Sequence, residues 1–165
     1  MTTTDKTRFA DKLATAQTPH DAYAALYRLS DAIMPVRLWT IMAVDPTGRV
    51  AQRAFTNMPE AYPTSGIKPI EENAWSAEVL GEQKCFVANT LSDIAHVFSD
   101  HVLIGALGCG SVMNLPIVAA GRVIGTVNLL DVAHHFTPDR VATIQALLSD
   151  PARDAMETAR ALAKG

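Results

Sequence analysis

The stretch Ser111–Arg140, SVMNLPIVAAGRVIGTVNLLDVAHHFTPDR, sets the architecture expected of this chain. Ser111 to Val118 and Arg122 to Leu130 are two apolar runs rich in strand formers, separated by Ala119-Ala120-Gly121. Two such runs around a short glycine-bearing turn read as a β-hairpin. Gly110 to Leu130 has the length of a membrane helix. Asn114, Pro116, Gly121, Arg122, Gly125 and Asn128 interrupt it, which favours two strands and a turn. Neither strand alternates cleanly between apolar and polar residues, so the sheet is expected to be covered on both faces. Thr137-Pro138-Asp139 then reads as a helix start, with a capping hydroxyl, proline at the first helical position and an acid facing the dipole. The helix that follows carries Val141, Ile144, Leu147 and Leu148, and Pro151 is expected to kink or split it before Met156 and Leu162.

Upstream, Leu38 to Val44 (LWTIMAV) and Arg49 to Phe55 (RVAQRAF) flank Asp45-Pro46-Thr47-Gly48, a second hairpin. Thr18-Pro19-His20-Asp21 repeats the capped start, opening a helix that runs to about Met34 and stops at Pro35. A shorter polar helix over Asp5 to Ala16 precedes it. Asn57 to Pro69, with three prolines and Gly66, reads as loop. Glu71 to Leu80 reads as a helix ended by Gly81, and Lys84 to Ala88 as a short strand. Thr90 to Leu107 is irregular, with room for a helical turn. With no repeat, low-complexity tract or linker, residues 1–165 read as one α+β domain. Its N-terminal helices lie at about 5–34, its core at about 36–136 and its C-terminal helix at about 138–163.

The chain has 165 residues, 48% hydrophobic and 19% charged, which is the composition of a folded domain able to bury a core. A formal net charge of −3 offers no grip on a phosphate backbone, so no nucleic-acid partner is expected. The polar N-terminus, Met1-Thr-Thr-Thr-Asp-Lys, has no apolar signal core. A cytoplasmic chain without a membrane span is expected. Two cysteines, Cys85 and Cys109, make no disulfide framework and read as buried reduced thiols.

Ser111, Pro116, the run Gly121-Arg122-Val123-Ile124-Gly125, Asn128-Leu129 and Phe136-Thr137 together resemble the GAF family. Val79-Leu80-Gly81-Glu82 before a short strand is similar to that family's approach to its third strand, and Asp93 falls in the loop expected after it. The resemblance covers roughly residues 20 to 150. It implies a GAF/PAS-like central antiparallel sheet of order 2-1-5-4-3, with the terminal helices on one face and helices and loops enclosing a pocket on the other. It also implies a homodimer through the terminal helices, for which long alanine-rich helices are suited. With no output domain expected within the chain, a signal would pass to a partner protein. The family's functions range over cyclic-nucleotide binding, bilin or haem binding, metabolite sensing and dimerisation alone. The cyclic-nucleotide signature begins Asn-Lys, a pair absent here. The setting of Cys109-Gly110-Ser111 differs from that of a bilin attachment site.

The resemblance therefore points to a small-molecule-binding sensory or regulatory module without catalytic activity, its ligand and any cofactor unidentified. The alternative is a redox enzyme resembling the free methionine-(R)-sulfoxide reductases, using Cys109 and Cys85. Ala74-Trp75-Ser76 stands where that subfamily has a cysteine, and Cys109 lies close to Pro116 for its catalytic thiol. A thiolate also needs a nearby cation or helix N-terminus, and only His96 and His101 are basic between Cys85 and Arg122. His96 and His101, five apart, match no zinc pattern, and His134-His135 is expected to be solvent-exposed. Trp39 reads as a core anchor. The pocket candidates are Trp75 on the roofing helix, His96, Phe98 and Asp100 at the mouth, Cys109 between two glycines, Ser111, and Asn114, whose amide in an apolar strand needs partners. Asn128, also a polar residue in an apolar strand, belongs to an Asn-Leu pair common in GAF sequences with different ligands, so the resemblance implies a structural role for it.

Overall fold

A computed structural model of the chain, describing residues 1–165, begins with two helices, α1 (Thr3–Ala14) and α2 (Pro19–Ile33). Both open on a threonine capping box: Thr2 accepts from Asp5 N, and Thr18 accepts from Asp21 N, with Asp5 and Asp21 reaching back to the cap backbone. The first strands are β1 (Leu38–Val44), β2 (Val50–Thr56) and the two-residue β3 (Lys68–Pro69). A short α3 (Ala74–Ser76) runs into a π-helical turn over Ala77–Gly81, followed by β4 (Phe86–Ala88). Two small helices, α4 (Leu91–Ala95) and α5 (His101–Ala106), lead to β5 (Ser111–Ala119), β6 (Arg122–Asp131) and α6 (Pro138–Lys164).

The strands form one antiparallel sheet in the order β3-β2-β1-β6-β5-β4. The expected 2-1-5-4-3 arrangement is present within it, but the sheet has one strand more. Lys68-Pro69, read as loop, pairs with Val50 and Ala51 at the outer edge, where a proline removes no needed ladder donor. The helix expected over Glu71 to Leu80 starts at Ala74, because Asn73 supplies the cap, accepting from Ser76 N at 2.9 Å. Gly81 does not provide a left-handed ending. That conformation falls to Gln83, at φ 59°, whose side-chain amide donates to the Gly121 carbonyl at 2.7 Å. Thr90 to Leu107 resolves into α4 and α5. The helix α6 passes through Pro151 as a single element, and the expected split is absent. The hairpin turns are as expected in position: Ala120 and Gly121 both take positive φ, 51° and 74°, the geometry of a two-residue type I′ turn.

The sheet separates two cores. On one face α2 and α6 bury Ile144, Leu148, Leu26, Met113, Leu129 and Trp39, with the Tyr27 ring tilted against the Trp39 indole and Phe55 edge-on to it. The Trp39 Nε1 donates to Ser30 Oγ at 2.8 Å, so its burial leaves no unpaired donor. Each fully buried aliphatic side chain here contributes about 1.5–3 kcal/mol. On the opposite face Leu38, Leu130, Val112, Ala88, Ile94, Ile104, Cys109 and Tyr62 form a smaller cluster under α4 and α5. Asn89 staples the segment before α6. It accepts from Phe136 N at 3.1 Å and donates to Phe136 O at 3.1 Å. His134, at φ 62°, is exposed, but His135 is mostly buried beside Asp131, contrary to the expected solvent exposure of the pair, because the Asn89 staple draws Phe136 and its neighbour inward.

Candidate functional site

Strand period 2 sends Thr40, Asn128 and Asn114 to the face away from α2 and α6, and the register places them side by side: Thr40 opposite Asn128, Asn128 opposite Asn114, Asn114 opposite Phe86. A polar row thus crosses the sheet. The next row is apolar, with Leu38, Leu130, Val112 and Ala88 in line. Above these rows lies a cavity of about 280 Å³. Its floor is Thr40, Asn128, Asn114, Val112 and Leu130. Its walls come from β2 and the following loop (Gln52, Arg53, Tyr62, Ser65), from β3 and α3 (Lys68, Asn73, Trp75), and from α4–α5 (Val97, Phe98, Asp100, Ile104). The lining mixes aromatic and aliphatic side chains with polar and charged ones, Arg53, Lys68 and Asp100 among them, and such concave surfaces with convergent polar groups suit a small molecule.

The polar row is one connected network. Trp75 Nε1 donates to Asn114 Oδ1 at 2.9 Å. Asn114 Nδ2 donates to Asn128 Oδ1 at 2.7 Å, and Asn128 Nδ2 donates to Thr40 Oγ1 at 3.1 Å. Thr126 Oγ1 donates to Asn128 Oδ1 at 2.9 Å. Asn114 and Thr40 are each 3% exposed and both line the cavity. Asn128, expected to be purely structural, is at once the hub of this network and part of the floor.

A second cluster closes the mouth. Tyr62 OH donates to the Asp100 carboxylate, and Arg53 NH2 lies 3.8 Å from Asp100 Oδ2. The Arg53 guanidinium sits 3.7 Å over the Tyr62 ring, and its NH1 donates to the Pro63 carbonyl at 2.8 Å. Burial first, and then the hydrogen bond to Asp100, hold the Tyr62 phenol well above its usual range. These contacts tie β2, the loop at Asn57–Ile67 and the start of α5 together.

Of the sequence candidates, Trp75, Phe98, Asp100 and Asn114 lie on the cavity, with the Trp75 and Phe98 rings edge-on at 6.2 Å. His96, Cys109 and Ser111 do not line it. His96 is exposed at the end of α4. Cys109 is packed in the small core, 3% exposed. Ser111 is buried and donates to the Val132 carbonyl at 2.7 Å, on the side of β5 away from the cavity. Cys85 packs against the other core, so the two thiols lie on opposite faces of the sheet. Burial pushes both thiols up to about 11, against thiolate chemistry. No three His, Cys, Asp or Glu side chains converge anywhere in the chain. Sequence reasoning missed Thr40, Arg53 and Tyr62. Thr40 has a legible signal, a hydroxyl within an apolar strand, whereas Tyr62 is brought in by a loop without periodicity, and Arg53, a polar residue of β2, gains its partners only from that loop and from Asp100.

Residues 17–153 match the family described as GAF domain. Among solved structures, the chain is similar to the GAF domain of a two-component sensor histidine kinase from Bacillus halodurans. That likeness has a TM-score of 0.70 at 13% identity, covering 90% of this chain and 99% of that one. It is also similar to the GAF domain of an Acinetobacter phosphoenolpyruvate-protein phosphotransferase (TM-score 0.70, 12% identity, 100% and 98% covered). A third likeness is to a free methionine-R-sulfoxide reductase from Neisseria meningitidis, in complex with its substrate (TM-score 0.64, 15% identity, 93% and 86% covered). No curated protein matches the sequence significantly. At these identities the likenesses establish the fold. No helix is long and apolar enough to cross a membrane.

Proposed function

The chain belongs to the GAF family, and from that premise we propose that it is a small-molecule-binding sensory or regulatory module without catalytic activity, which signals through a partner protein. The observation that carries this reading is the cavity itself. It holds about 280 Å³ on the sheet face opposite the terminal helices, floored by hydrogen-bonding side chains that a merely packed core would exclude. The binding face and the terminal-helix face share one sheet, so a ligand that repositions β1 or β6 acts directly on the footing of α2 and α6. A homodimer through those terminal helices belongs to the same proposal. A groove runs along α1 and α6 past Phe9, Leu13 and Leu147, and offers apolar surface for a second copy.

The reading is tested by thermal shift and native mass spectrometry of the purified chain against a metabolite extract. A ligand at a hundredfold excess over its dissociation constant adds about 2.7 kcal/mol to stability. A chain that neither retains nor is stabilised by any metabolite ends the proposal. Reduction of free methionine sulfoxide is the other activity to assay. What argues against it is the separation of Cys85 from Cys109 across the sheet and the high pKa of both thiols. Turnover in the wild type, lost in Cys109→Ser, would instead establish an enzyme.

A further inference from the structure

The hydrogen-bond row on the cavity floor has a direction, and that direction selects ligand chemistry. An indole N–H can only donate. Trp75 Nε1 therefore obliges Asn114 to present its oxygen to the ring and its amide nitrogen to Asn128, at 2.9 and 2.7 Å. The Asn128 oxygen is then committed, accepting from both Asn114 and Thr126, and its nitrogen must point to Thr40. The Thr40 hydroxyl accepts that bond, and no protein acceptor takes its own proton. Flipping either amide would face donor against donor, so one side chain on the roof sets the polarity of the whole row.

Counting what is left gives the character of the floor. Asn128 Oδ1 already accepts two bonds. One N–H of Asn114, one N–H of Asn128 and the O–H of Thr40 remain without a partner, against a single further lone pair on Asn114 Oδ1 and one on Thr40 Oγ1. Two of these residues are 97% buried and line the cavity. Buried donors left unpaired are costly, so the floor is built to be completed by an oxygen that accepts. Beside the donors lie Val112 and Leu130, and facing them the edge-on rings of Trp75 and Phe98.

We propose that the cavity takes a small ligand carrying a carbonyl or carboxylate oxygen, seated on the Thr40–Asn128–Asn114 donors, with a flat or aliphatic body against Trp75 and Phe98. This deepens the binding reading above and rests on it. Benzoate, phenylacetate, hexanoate and benzamide serve as acceptor-bearing probes, with benzylamine and hexylamine as matched donor-only controls. Binding is measured by calorimetry on the full chain. The acceptor-bearing probes are expected to bind at least about tenfold more tightly than the amines. Benzoate against benzamide separates an anionic carboxylate from a neutral carbonyl as the preferred form.

Thr40→Val, which keeps the shape and removes the hydroxyl, is expected to weaken the acceptor probes about tenfold or more, and Thr40→Ser to retain them. Should Thr40→Val fail to fold, Trp75→Phe carries the test. It frees Asn114 to turn over, and the preference for acceptors over amines should shrink even though both classes lose the same ring contact. Amines binding as well as carboxylates, or the preference surviving Thr40→Val or Trp75→Phe unchanged, overturns this inference alone. No binding by any probe or by a metabolite extract removes the binding reading and this inference with it.

Discussion

Gly125 is a point of close approach between the sheet and α6. A Cβ added there would meet the Met42 backbone oxygen at 2.5 Å and the Met156 methyl and sulfur at 2.5 and 2.6 Å. The methionine could swing away, but the paired strand cannot. Gly125→Ala is expected to lower stability by about 2 kcal/mol or more, read as a fall in the urea midpoint without a change in slope. Asp45 shows a different residue-scale device. Its carboxylate takes the Thr47 hydroxyl and then the backbone N–H groups of Val50, Thr47 and Arg49, which lowers its pKa from the ordinary 3.8 to about 2. A group depressed in the folded chain contributes stability above its unfolded pKa and loses it as the pH falls through the folded one. The stability difference between wild type and Asp45→Ala should therefore be full above about pH 4 and fade towards pH 2. A difference that stays flat across that window would show that the turn does not depend on the charge.

Among the elements, α1 and the mouth cluster are the loosely held ones. The helix α1 has no buried residue and rests on α2. Its capping box stabilises its first turn without anchoring it to the sheet. Apart from the backbone bond of Ser65 N to the Arg53 carbonyl at 3.1 Å, the mouth is held by side chains, those of Tyr62, Asp100 and Arg53. Tyr62→Phe removes the phenol's bond to Asp100 but keeps the ring under the guanidinium. Amide hydrogen exchange is expected to accelerate across 57–67 and 91–106 and to stay unchanged in β5 and β6. Uniform acceleration over the sheet would mean that Tyr62 acts on global stability and does not tie the mouth.

For the molecule as a whole, the proposed pairing of terminal helices predicts a dimer by light scattering, converted to monomer by Leu147→Asp in the α1–α6 groove. An unchanged mass would place any self-association elsewhere. Much of the architecture is legible along the chain, because it is encoded locally: the capped starts at Thr18 and Thr137, the turn at Ala120-Gly121, and the β-rich runs around it. The extra strand at Lys68-Pro69 is not, since two residues carry no periodicity and become a strand only because β2 offers them a free edge. The same division holds for the site. Trp75, Phe98, Asp100 and Asn114 stand out in sequence as aromatic or polar residues in segments expected to cover a pocket. Tyr62 reaches the mouth through a loop closure whose geometry no local pattern specifies, and Arg53 on β2 finds its partners only when Tyr62 and Asp100 are brought to it. Sequence therefore decided which segments become strands and helices, since propensity, capping and turn chemistry act over a few residues. Folding in three dimensions decided which polar groups meet, and the one-way row from Trp75 to Thr40 exists because register aligns residues up to 88 positions apart.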